Sequence, residues 1–127
     1  MSEEPPSASM SHNDFDILSW NVRGLNMAAR CLAVHETIAA NTCHIAYLQE
    51  TKLQHIDDGL ARFLGAYKLN CFAYNPSVGT KGGILILWND AVVDLSNIAI
   101  GRFSVSATVQ LRPFIRLLPS VYSLRPV

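Results

Sequence analysis

Two short apolar segments end in polar residues whose types suit chemistry. Trp20-Asn21 closes the first, and Gln49-Glu50-Thr51-Lys52 closes the second. In α/β proteins, sites gather outside the carboxyl ends of strands. An Asn21 amide there can position a water or a phosphate oxygen. The Glu50 carboxylate suits a hard divalent ion, above all Mg²⁺, which takes oxygen ligands and keeps several waters. Lys52 can face a phosphate or simply pair with the acid. Each residue also has an ordinary structural reading. A lone Glu after a strand is commonly a loop residue or helix cap, and Asn favours turns.

Other chemistries find little support. His12, His35, His44 and His55 show no ligand spacing; His35 reads as a helix residue, His44 as a strand-edge residue, and the other two as surface. Ser19 lacks the G-x-S-x-G context of a nucleophile elbow. Gly79, Gly82 and Gly83 are not followed by the G-K-[ST] of a phosphate-binding loop. Tyr47 and Tyr74 read as core residues rather than base-stacking ones. Cys31, Cys43 and Cys71 form no C-x-x-C pair, and an odd, scattered set argues against a disulfide framework or a zinc site.

The 127 residues are half apolar and 16% charged, which fits one small domain and excludes a charge-solvated disordered chain. No apolar run approaches the roughly 18–20 residues that span a bilayer, so no membrane partner is expected. The start of the chain is polar and acidic, unlike a secretory signal. With the unpaired cysteines, this gives an intracellular expectation, with the nucleus open to it and no targeting signal visible. Ten basic and ten acidic side chains cancel, but unevenly. Every acid lies at or before Asp94, while Arg102, Arg112, Arg116 and Arg125 follow with no acid among them. They are either solvated strand residues or a phosphate-facing basic edge.

The elements that would position the polar ends follow from periodicity. Residues 1–13 read as a disordered tail and residues 14–127 as one domain. Phe15 to Trp20 suits a strand. Asn26 suits the N-cap of a helix to about Ala40, with Met27, Cys31, Val34 and Ile38 on one face and Asn41 ending it in a left-handed conformation. His44 to Leu48 suits a strand. Asp57 or Asp58 can cap a short helix stopped by Gly65. Residues 69–74 suit a strand, 75–82 a loop, and Gly83 to Trp88 a strand covered on both faces. Residues 92–99 and 102–111 are further strands, the latter with alternating burial. Pro113 and Pro119 make the last stretch less coherent. The order β-α-β-α-β followed by strands implies an α/β sandwich with a mixed sheet and flanking helices.

Taken together, three segments carry a resemblance. Ile17 to Asn26 (ILSWNVRGLN) resembles the opening motif of the endonuclease/exonuclease/phosphatase superfamily, the DNase I-like fold. Ile45 to Lys52 (IAYLQETK) resembles its second motif, and Gly82 to Trp88 (GGILILW) its third strand. The wording is most similar to the endonuclease domains of plant LINE-type (non-LTR) retrotransposons, as is Ser104 to Val109, so the resemblance spans about residues 14–112. It implies a partial DNase I-like α/β sandwich, the N-terminal half of the family domain, and a Mg²⁺- or Mn²⁺-dependent endonuclease acting on DNA. It implies Glu50 as the metal ligand, and Asn21 at the metal centre orienting the scissile phosphate or the nucleophilic water. Tyr122 falls where the family has a catalytic-site tyrosine. Tyr122-Ser123-Leu124 departs from the family's continuation, and 113–119 also departs, as in a spliced or frameshifted sequence.

The family's Asp-x-Asn motif and terminal Asp-His pair have no counterpart here, since no acid follows Asp94 and no His follows His55. The resemblance thus implies a fragment inactive by itself, because hydrolysis needs an activated water, charge stabilisation and leaving-group help together. The alternatives are a non-catalytic module binding nucleic acid or protein, or a retrotransposon-derived gene-model remnant. In the intact family fold a second sheet comes largely from the missing half. Parts of 83–88 and 103–111 are therefore expected to lie exposed, inviting that half or another protein to cover them.

Overall fold

The computed structural model describes residues 8–11, 15–101, 104–112 and 120–124. Five strands form the first sheet: β1 (Ala8–Ser11), β2 (Asp16–Asn21), β3 (Ile45–Gln49), β4 (Cys71–Asn75) and β5 (Ile84–Trp88), in the order β1-β2-β3-β5-β4. β2 and β3 are parallel and the other pairings antiparallel, which makes the sheet mixed. β6 (Val93–Ile100), β7 (Val105–Leu111) and β8 (Ser120–Leu124) form a second, antiparallel sheet. Strand β1 lies inside the segment expected to be a tail, and its backbone pairs with β2.

Helix α1 (Ala28–Ala40) connects the parallel pair β2 and β3, and α2 (Asp58–Leu64) follows β3. Val34, Ile38, Ala61 and Leu64 pack with Leu18, Trp20, Ala46, Leu48, Leu85 and Leu87 on one face of the first sheet. The opposite face meets the second sheet: Ile17, Ile45, Ile84, Ile86 and Trp88 pack with Val93, Leu95, Val105, Ala107 and Val109. This is the expected α/β sandwich with flanking helices.

Several details differ from the sequence reading. Asn26 does not cap α1; Met27 occupies the N-cap without a side-chain bond, and its carbonyl accepts from Arg30 and Cys31 N–H. Asn41 is extended (φ −113°), and it closes the helix by donating from Nδ2 to the Thr37 carbonyl at 2.7 Å. Asp57 caps α2 as expected, accepting from Leu60 N–H at 2.8 Å. Gly65 sits at the C-cap with φ −79°, while Ala66 and Tyr67 carry the left-handed reversal. Gly65 is small for another reason: a Cβ there would lie 2.7 Å from the Leu69 carbonyl oxygen.

The largest correction concerns the apolar face expected to be exposed. Ile84, Ile86, Trp88, Val105, Ala107 and Val109 are buried. The β6–β7 hairpin folds back over the first sheet, so the face finds its cover within the described residues. Arg112 donates to Asp90 at 3.2 Å and lies 3.5 Å from Asp94, a paired rather than phosphate-facing position. Arg102, Arg116, Arg125 and His12 lie outside the described residues. No helix among the described residues is long and apolar enough to cross a membrane.

Candidate active site

The two polar strand ends meet. Asn21 and Gln49 are register partners at the ends of parallel β2 and β3. The chains then stay zipped: Val22 N–H donates to the Gln49 carbonyl (3.0 Å), Gly24 to Glu50 (2.7 Å) and Leu25 to Thr51 (2.8 Å). On the other side, Thr51 and Lys52 N–H groups donate to the carbonyls of Gly83 (3.1 Å) and Gly82 (2.8 Å). Three post-strand and pre-strand segments thus form one frame.

That frame forces tight backbone. Arg23 (φ 54°), Glu50 (φ 53°) and Lys52 (φ 58°) all adopt the left-handed conformation that costs a non-glycine residue about 1–2 kcal/mol. The strain is offset locally. Asn21 Oδ1 accepts from Arg23 N–H at 3.1 Å, and Asn21 Nδ2 donates to Glu50 Oε2 at 2.5 Å. Both ends of the Asn21 amide are therefore engaged, one fixing the turn and the other aiming the carboxylate.

These residues line a cleft of about 570 Å³ with Tyr47, Gln49, Lys52, Thr80, Lys81, Gly82, Gly83 and Ile84. Glu50 and Lys81 are exposed at its mouth, while Tyr47, Gln49 and Gly83 are buried. Burial pushes the Tyr47 phenol up to about 12. Among the described residues, Glu50 is the one carboxylate of the lining, and neither Asp nor His contributes to it. Among the described residues, no group of three or more His, Cys, Asp or Glu side chains converges on a metal-sized site. Of the described lining side chains, the Glu50 carboxylate is the one whose oxygens suit a hard divalent ion.

The sequence places Gln49 in the polar strand end without giving it a role, and it gives no sign of Thr80 or Lys81 in the cleft. A polar Gln closing an apolar strand was the available signal for the first; the other two lie in a loop, where spacing says little. Tyr122 pairs through its backbone with Ala107 in β7, and its side chain lies outside the described residues. Elsewhere, His35 stacks on Phe63 with centroids 4.3 Å apart, and its Nδ1 lies 2.6 Å from the Phe63 carbonyl oxygen. His55 Nδ1 lies 3.3 Å from the Tyr74 hydroxyl. His44 Nδ1 accepts from Asp16 N–H at 3.0 Å. All three are structural contacts.

No protein-family model matches the chain, and no curated protein matches it. Among solved structures, the catalytic domain of human Nocturnin, determined with a bound sulfate anion, is similar with a TM-score of 0.58 and 14% identity. The match covers 94% of this chain and 53% of that one, so the chain spans about half the length of that domain. At this identity the likeness is one of fold: the chain has a partial DNase I-like α/β sandwich architecture.

Proposed function

We propose that the chain is the metal-holding half of a Mg²⁺-dependent DNA endonuclease domain, and that by itself it binds DNA without cutting it. The observation that carries this reading is the Asn21–Glu50 hydrogen bond at the mouth of a cleft flanked by Lys52 and Lys81. A DNase I-like fold with its carboxylate at the carboxyl end of a central strand supports it. The order and wording of the three strand motifs support descent from a plant LINE-type element, and DNA as partner fits a nuclear location.

Glu50 would hold the ion, Mg²⁺ or Mn²⁺, and Asn21 would fix the direction of the carboxylate. Lys52 and Lys81 would neutralise phosphates along the backbone. A bound divalent ion supplies charge stabilisation at a phosphoryl oxygen and a more acidic water. Leaving-group help needs a further proton donor, and the described residues of the lining offer no His or Asp for it. Tyr122 is the remaining candidate from the resemblance, with a role in the same site proposed on its family position alone.

The test is binding of a short labelled DNA duplex, with and without Mg²⁺, by the full chain and by Glu50→Gln, with strand scission followed in the same samples. Mg²⁺-dependent binding that Glu50→Gln weakens, without scission, is the expected result. Binding indifferent to both Mg²⁺ and Glu50 would replace this reading with a non-catalytic nucleic-acid module. Scission by the chain alone would remove the claim that it only binds.

A further inference from the structure

We propose that Gln49 is a ligand-contacting residue of the cleft, donating from its carboxamide to a phosphoryl oxygen of a bound phosphodiester; this rests on the nuclease reading above. Three rows of register partners cross β2, β3 and β5 on the face turned toward the second sheet. They are Ile17–Ile45–Trp88, Ser19–Tyr47–Ile86 and Asn21–Gln49–Ile84. Polarity rises along these rows. The first is wholly apolar and sits in the inter-sheet core. The last opens into the cleft.

Gln49 is only 4% exposed, yet its place in the last row makes it part of the cleft wall. Its side chain makes one hydrogen bond among the described residues, from Nε2 to Ser19 Oγ at 3.5 Å. That distance is the outer limit for such a bond. A carboxamide carries two donors and an acceptor with two lone pairs, so the single long bond to Ser19 leaves capacity for a molecule in the cleft. Closing the core alone would favour an apolar residue here, as Ile45 does at the far end of the same face. The charged members of the lining are two lysines against one carboxylate, which favours an anion. An oxygen-rich anion entering past Lys52 and Lys81 would meet the Gln49 N–H donors at the floor.

The experiment follows the Gln49 side-chain N–H₂ resonances in the ¹H–¹⁵N spectrum of the full chain with Mg²⁺. The probe is thymidylyl-thymidine, which carries one phosphodiester. The expected result is a saturable shift of these resonances. Gln49→Met, close in volume, should bind the dinucleotide about tenfold more weakly or worse. If that variant does not fold, the wild-type resonances decide. Binding seen at Lys52 and Glu50 with the Gln49 resonances unmoved overturns this inference and leaves the nuclease reading standing. No binding of the dinucleotide by the wild-type chain overturns both.

Discussion

Gly83 leaves no room for a side chain beside Thr51. A Cβ built on Gly83 would overlap the Thr51 hydroxyl, and the residue's φ of +94° suits glycine alone. Thr51 is fully buried, and its N–H donates to the Gly83 carbonyl at 3.1 Å. The close approach welds the start of β5 to the loop that carries Glu50. Gly83→Ala should therefore cost about 2–4 kcal/mol, combining backbone strain with overpacking. Urea unfolding of the two chains measures it; a difference below about 0.5 kcal/mol would show that the loop yields without cost.

The inter-sheet core gives a second prediction. Ile86 is 2% exposed and packs with Ile17 and Ile45 of its own sheet and with Leu95, Val105 and Val109 of the other. Ile86→Ala should cost about 2–5 kcal/mol, the usual range for a truncation in a closed core. Were that face open to water, the loss would be under about 1 kcal/mol, and a denaturation midpoint distinguishes the two.

That prediction also marks where the sequence was legible. The uninterrupted run Ile84 to Trp88 announces a strand covered on both faces, and the structure buries all of it. Alternation at Val105, Ala107 and Val109 announces one buried face. What periodicity does not carry is which face covers which. The hairpin's return over the first sheet is a long-range choice, so a face with a partner read as a face without one. Helix ends failed for a related reason. Asn26 has the right type for a cap, but the turn through Arg23 and Gly24 places Met27 there instead. At the site, Asn21 and Glu50 stood out because polar residues ending apolar strands are conspicuous. Lys81 reaches the same cleft from a loop whose path is set by three glycines at positive φ, Gly79, Gly82 and Gly83.

Asn21 offers a prediction about positioning. Its Nδ2 donates to Glu50 Oε2 and its Oδ1 accepts from Arg23 N–H, so it works through the carboxylate and the turn. Supporting partners of a metal ligand typically contribute about 10–100-fold in affinity. Asn21→Ala should weaken Mg²⁺ binding about tenfold. It should cost about 1 kcal/mol or less in stability, since Glu50 is exposed. Calorimetric titration with Mg²⁺ tests the first part, and unchanged affinity would reduce Asn21 to a turn residue.

Tyr47 gives a prediction in pH. Desolvation at the cleft floor raises its phenol from the ordinary 10.0 to about 12. The unfolded chain then loses this proton at lower pH than the folded one, so unfolding is favoured as pH rises. The contribution is fully present below pH 10 and is lost progressively as pH climbs toward 12, by about 1.4 kcal/mol per pH unit. The comparison with Tyr47→Phe isolates the phenol. Unfolding midpoints measured between about pH 8 and pH 11.5 should fall more steeply for the wild-type chain than for the variant. Parallel curves would mean that water reaches the hydroxyl and that the floor of the cleft is wetter than its packing indicates.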